Sequence, residues 1–209
     1  MSRRKTLRTT ICDGAAARFP DRIQRAWQDA LRPNQWWVAD FTYIHTACGF
    51  SYASFVTDVY TREILGFVVG TRPTKELVIK ALRQALALRR RQDVVFSPIG
   101  VIHHSDAGSQ YTSTDLQAML KLQQMEGSIG TVGDAYDNAL MESTIGLFKA
   151  EIIDFGGAAW NDWREVEYAT TQWVTWYNSR RLHSSIGYLT PVEKYEDFMQ
   201  EHRAADRAA

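Results

Sequence analysis

Three apolar runs, Trp36 to Ile44, Phe50 to Val59 and Glu63 to Thr71, follow one another across short connections around Cys48-Gly49 and Tyr60 to Arg62. Each is rich in Val, Ile, Phe, Tyr, Trp and Thr, residues that suit a pleated, half-buried surface, so three consecutive antiparallel strands are predicted. The period then changes: Leu77, Ala81, Leu82, Ala85, Leu86 and Leu88 recur at helical spacing and predict a helix over 75–91 with a basic outer face. Val101 to Ser105 returns to strand. A helix at about Thr114 to Gln124 follows, capped by Thr112, Ser113 or Thr114, then a short strand from Ser128 to Val132 between glycines. With Asp134 or Asp137 as cap, Met141, Ile145, Phe148 and Ile152 form the core-facing stripe of a further helix. A last long helix near Asp162 to Asn178 buries Val166, Ala169, Trp173 and either Trp176 or Tyr177, and NSRRLHSSIGYLTP then leads to a polar tail. Ahead of the first strand, Met1 to Asn34 is polar and basic, with one short helix expected near Asp21 to Leu31 and Asp21 as its N-cap.

Composition narrows this to one main domain. A chain of 209 residues with 45% hydrophobic content can bury one sizeable core. The expected division is a basic leader or arm (1–34), a core (35–196) and a polar tail (197–209). Cys12 and Cys48 are too few and too badly spaced for a disulfide framework or a zinc site, which suits a reducing cytosol. ILGFVV falls far short of the roughly 20 residues of a membrane helix, and Met1 to Cys12 has no apolar signal core, so a soluble, cytoplasmic protein is expected.

Net charge is zero but unevenly spread: Arg72 to Arg91 carries seven Lys or Arg against Glu76, and Met1 to Arg8 is basic without an acid. These are candidate phosphate contacts. Arg89 to Arg91 also fits the solvated end of a helix, where cations suit the helix dipole.

The acids carry more information. Asp40 and Asp106 fall within or at the end of apolar runs, where an unpaired charge costs several kcal/mol, so each calls for a compensating partner such as a divalent cation. Glu142 lies on a helical pattern, and the 35 residues between it and Asp106 suffice for a helix, a short strand and the start of a second helix that brings it back beside Asp106. Lys149 follows Glu142 by two helical turns and shares its face about 10 Å along the axis. Asn138 lies one turn before Glu142 on the same face. His103 and His104 alternate on one strand, one inward and one outward, and read as core or supporting histidines rather than ligands. Asp58 reads as a turn residue paired to Arg62. Ser105, Ser109 and Gln110 have no base and acid spaced to make a triad. The tryptophans could stack on bases, though Trp173 belongs to the core.

The order β-β-β-α-β-α-β-α with an additional C-terminal helix, carrying acids on the first strand, after the fourth and on a later helix, matches a ribonuclease-H-like mixed sheet. WWVADFTYI, FVTDVYTREILGF, IHHSDAGSQY, DAYDNALMEST and WYNSRRLHSSIGYLTPVEKYE also resemble, from about Pro33 to Glu196, the integrase-core DDE transposases of bacterial insertion elements, second-reading-frame proteins similar to retroviral integrases. The resemblance implies a DNA transposase with Asp40, Asp106 and Glu142 as catalytic residues and ligands of two Mg²⁺ or Mn²⁺ ions about 4 Å apart. It implies cleavage and strand transfer by in-line displacement without a covalent protein intermediate. It also makes Lys149, Asn138, Arg180 and Arg181 candidate DNA contacts, and DNA ends, a target and further copies of the chain the partners. Ala107 stands where such proteins usually have a longer or charged residue. Only 39 residues precede Asp40, whereas similar full-length proteins carry an upstream helix-turn-helix, so recognition of element ends is expected to be missing or supplied by a separate polypeptide from the first reading frame. A metal-dependent nuclease of the same fold and a non-catalytic DNA-binding remnant are the alternatives.

Overall fold

The three apolar runs form an antiparallel meander in the computed structural model, which describes residues 19–130, 138–154 and 159–208. The strands are β1 (Trp36–Thr46), β2 (Gly49–Asp58) and β3 (Ile64–Gly70). Helix α1 (Lys75–Gln92) crosses back over the sheet to the short strand β4 (Ile102–Ser105), which pairs in parallel with β1. Helix α2 (Thr114–Leu122) leads to β5 (Glu126–Ile129), parallel to β4, so the sheet order is β3-β2-β1-β4-β5. Helix α3 (Ala139–Phe148) continues into a π-helical turn (Lys149–Asp154), and α4 (Trp163–Ser179) and α5 (Pro191–Ala208) complete the chain.

Both faces of the sheet are covered, so β1 is buried in four successive residues, Trp36 to Ala39, rather than in alternate ones. Trp37, Ala39, Val56 and Leu65 pack with Val78, Leu82 and Leu86 of α1 and with Leu116 and Leu120 of α2. Trp36, Val38, Phe55 and Ile64 pack on the other side with Met141 and Phe148 of α3 and Val166 and Trp173 of α4. Helix α1 lies close on β3 because Gly66 has no side chain: a Cβ there would come within 2.1 Å of the Ala81 carbonyl oxygen. Because both faces of the sheet are covered, His103, beside Tyr111, and His104, beside Trp27, are both buried, and neither points out to solvent as expected.

Other expectations need correction for equally local reasons. The helix near Asp21 to Leu31 reduces to a 3₁₀ turn at Trp27–Asp29. Asp21 does accept hydrogen bonds from the Ile23 and Gln24 amides, but Gln24 and Arg25 have positive φ and turn the chain so that Ile23 is buried against the sheet. Strand β5 begins two residues earlier than expected; Val132, Asp134 and Asp137 lie outside the described residues, and Asn138 is the N-cap of α3. Ser113 caps α2, accepting from the Leu116 amide, and Asp162 caps α4. Tyr177, not Trp176, is the buried member of that pair. Helix α5 runs through the stretch expected as a polar tail. Thr190 and Glu193 form a reciprocal capping box at its start, and Tyr195 is buried.

The largest departure is Arg89, expected at a solvated helix end and found fully buried. Its guanidinium pairs with Glu63, lies 3.4 Å from Asp58, and donates to Asn34 Oδ1 at 2.8 Å and Gln92 Oε1 at 2.7 Å, while the Tyr195 ring covers it at 4.1 Å. Asp58 therefore answers to Arg89 rather than to Arg62, and also accepts from the amides of Asn34 and Thr61. Burial drives the Glu63 carboxyl upward, and Arg89 opposes this.

Removing one partner from such a buried cluster leaves charges without compensation. Arg89→Ala is expected to lower stability by about 3–5 kcal/mol in urea unfolding; a loss below about 1 kcal/mol would show that the network contributes little.

Candidate active site

Parallel pairing sets the first part of the site. β1 and β4 are in register from Trp36↔Ile102 to Ala39↔Ser105, so the next residues, Asp40 within β1 and Asp106 just past β4, come side by side. Asp40 opposes Phe55 across the β1–β2 ladder and shares its face, the one covered by α3 and α4. Its Oδ1 accepts from the Phe41 amide at 2.7 Å. Asp106 begins a tight loop in which its Oδ1 accepts from the Gly108 amide at 3.1 Å, and Gln110 ties that loop to the Pro73 carbonyl ahead of α1.

The second part comes from α3. Asn138 donates from Nδ2 to the Ala39 carbonyl at 3.2 Å, fastening the start of the helix to β1 one residue from Asp40. Its Oδ1 is buried and accepts no hydrogen bond from the described residues. Glu142 is exposed in the next turn. Lys149, at the C-cap of α3, holds its Nζ 4.9 Å from the centre of the Tyr43 ring. Tyr43 is a neighbour that sequence spacing does not reveal, because the contact joins a helix end to the far part of β1.

The electrostatics follow from this packing. Asp40 is pushed up from 3.8 to about 7, first by burial, then by Asp106, with Glu142 adding to the effect; the Phe41 amide and Lys149 oppose it. Asp106 is also raised by surrounding protein, against its bond to Gly108 and the influence of His104, but solvent reaches it from one side and screens the effect. His103 is pushed down to about 4 by burial, which fits a neutral core group packed near Tyr111. His104 lies 2.8 Å from Ser128 Oγ.

As the side chains stand, no group of three His, Cys, Asp or Glu among the described residues closes on a single point. The acids nonetheless feel one another, and oxygen donors crowded at one sheet end suit a hard divalent cation. Among the other candidates, Arg180 is exposed, whereas Arg181 pairs with Glu151 and stacks on Trp176 and so anchors the chain after α4. Arg90 bonds Gln123 at the far end of α2, away from the loop that follows Asp106.

A family model described as integrase core domain matches residues 30–135, and a second with the same description matches 123–191. The chain belongs to the integrase core family. It is 45% identical over 192 residues to the transposase ascribed to insertion sequence element IS986/IS6110 of Mycobacterium tuberculosis, covering 92% of this chain and 68% of that protein. It is 44% identical to the transposase for insertion sequence element IS629 of Shigella sonnei, covering 91% and 61% of the two chains. The magnesium complex of the HTLV-2 integrase catalytic core domain, in its dimeric form, superposes with a TM-score of 0.59 at 16% identity, over 79% of this chain and 99% of that one. The fold is thus the ribonuclease-H-like fold of retroviral integrase cores, and this integrase-core protein is a DDE transposase of the insertion-sequence kind, acting in DNA transposition.

In the integrase core, folding gives the Asp40 carboxyl a proton that the unfolded chain does not hold between pH 3.8 and about 7, so metal-free stability declines as pH rises through that window. Asp40→Asn is expected to remove the decline and to be more stable than the parent near pH 8 by on the order of 2 kcal/mol in chelator. Thermal melts at several pH values check this; parallel pH profiles for the two proteins would contradict it.

Proposed function

We propose that Asp40, Asp106 and Glu142 are the catalytic carboxylates and hold two Mg²⁺ or Mn²⁺ ions against a DNA phosphodiester. The observation that carries this reading is the juxtaposition of Asp40, within β1, and Asp106, just past the end of the parallel strand β4, with Asp40 raised to about 7 by burial, by Asp106 and by Glu142. Bound ions would activate the attacking water or 3′-hydroxyl and stabilise the leaving 3′-oxygen of an in-line displacement.

The chain's own groups divide the remaining work. Asp40, fixed within the long β1 and held by the Phe41 amide, would be the rigid member of the ligand set. Asp106 and Glu142, one in a loop and one on an exposed helical turn, would complete that set with more freedom to adjust. Asn138, tied to Ala39, has a buried oxygen that accepts no hydrogen bond from the described residues and can orient a ligand that carries a donor. Lys149 supplies positive charge to the DNA backbone, and Arg180 is a further candidate contact. The chain works on element ends and target DNA as an oligomer, since two ends must be handled together. No helix among the described residues is long and apolar enough to cross a membrane.

Purified protein with labelled element ends and Mg²⁺ or Mn²⁺ is expected to nick and then join DNA, and Asp106→Asn or Glu142→Gln to reduce both steps by at least about 100-fold. Nicking without joined product would mark a nuclease. Equal activity with and without a chelator would reject the metal-dependent reading.

Lys149→Ala is expected to weaken DNA binding and to lessen the salt slope by about one counterion. Binding isotherms at several salt concentrations give the slope, and an unchanged slope would remove Lys149 from the DNA contact.

A further inference from the structure

Beyond Asp40, the β1–β2 hairpin carries a row of rings on one face. Tyr43 opposes Tyr52 and His45 opposes Phe50 in the antiparallel ladder. Centroid separations are 5.5 Å for Tyr43–Phe50, 4.4 Å for His45–Phe50 and 6.4 Å for Phe50–Tyr52. The row is not core: Tyr43 is 52% and Phe50 48% exposed, and His45 is exposed as well. Strand β4 leaves β1 at Ala39, so among the described residues no strand extends the sheet beside this part of β1 on that side. The hairpin tip is held in place by the Ala47 amide donating to the Trp160 carbonyl at 2.8 Å and the Cys48 amide to the Asn161 carbonyl at 3.1 Å.

Two further observations say what this surface suits. From Phe41 to Thr57 the chain has no Asp, Glu, Lys or Arg, so a polyanion meets no carboxylate on this part of the hairpin and a protein partner finds no acidic, lysine or arginine side chain with which to pair. And Lys149 joins the row to the acidic site: it lies over the Tyr43 ring and also acts on the Asp40 carboxyl. Tyr43 and His45 alternate with Asp40 and so belong to the other face of the sheet; a DNA strand with a phosphate at Lys149 has the carboxylates on one side and reaches the rings around the edge of β1.

We infer that this aromatic row binds unpaired bases of the DNA strand leaving the carboxylate site. The inference rests on reading that site as one that acts on DNA. Residues two apart on a strand face repeat at about 7 Å, roughly twice the 3.4 Å step between stacked base pairs. Bases seated on successive rings are thus drawn out of their stack, which an intact duplex resists and a frayed or single-stranded segment permits. The row contributes base contacts without reading sequence, because each base offers a π-face.

The test compares the full chain's affinity for a labelled blunt duplex and for the same duplex with a four-nucleotide single-stranded extension, in Mg²⁺, with nicking measured on the same preparation. The parent is expected to prefer the extended duplex by at least about fivefold, and Phe50→Ala or Tyr43→Ala to lose most of that preference. Tyr168→Ala, which removes an exposed ring on α4, keeps it. Thermal melts confirm that each variant is folded. Nicking with no preference for the extension, or with a preference that survives Phe50→Ala, overturns the inference and leaves the catalytic reading intact. Absence of both nicking and DNA binding overturns the catalytic reading and this inference with it. Sedimentation in which Phe50→Ala dissociates a dimer while the preference for the extension persists assigns the row to a second copy of the chain and also overturns the inference.

Discussion

Burying carboxylates in a sheet demands positive charge, and this fold meets the demand in two different ways. At the β2–β3 turn, Asp58 and Glu63 are closed off by Arg89, whose guanidinium has the geometry to bond several acceptors at once and is sealed under Tyr195. At the end of β4, Asp40 and Asp106 have no such fork. The cation that acts on Asp40 there is Lys149, a single ammonium placed over a tyrosine ring, and the Asp40 carboxyl remains raised to about 7. One cluster is satisfied from within the chain. The other leaves its need open at the surface, where an ion and a phosphate can meet it.

The open cluster follows from topology. A strand paired in parallel on one side and antiparallel on the other places the two aspartates at a point where β4 ends and β1 continues. That mismatch in length, four residues against eleven, frees one edge of β1 just beyond Asp40. Helix α3 covers the face that Asp40 occupies rather than that edge, and its Asn138 contact to Ala39 sets the helix so that Glu142 and Lys149 follow on one side. The acids and the ring-bearing hairpin are therefore consecutive parts of one strand.

What could be read from the sequence was what depends on local period and composition. The strands, the helices α1 to α4 and the cap of α2, narrowed to Thr112, Ser113 or Thr114, follow from spacing and polar termini, and the five sequence blocks pointed to the family. Arg89 could not be read: it sits next to Arg90 and Arg91, both exposed, and its burial is decided by Asn34, Glu63 and Tyr195, which are far away in sequence. The end of the chain is a different case. Thr190-Pro191-Val192-Glu193 holds both a capping-box pattern and a proline at the first helical position, so the start of α5 was written locally and the polar composition after it obscured the helix. Around the site, the alternation of β1 indicates which face Asp40 occupies, but the contact of Lys149 with Tyr43 depends on where α3 ends against the sheet.

The closed network also bears on the open one. Asn34, immediately before β1, is held by Arg89 and by Asp58, and Asp58 is paired across the ladder with Trp37. At the other end of β1, the hairpin tip is fastened to Trp160 and Asn161 ahead of α4. Asp40 lies between these two attachments on a strand with its neighbours packed on both faces, so it cannot move away from Asp106 without disturbing one of them. Holding like charges together raises the free energy of the metal-free site, and rigid packing at both ends of the strand is what sustains it. A carboxylate pair held in this way needs little reorganisation when cations bind, which is the condition for stabilising charge as it develops on a phosphodiester. The stability of the Arg89 cluster, remote from any chemistry, thereby contributes to how firmly the acidic site is set.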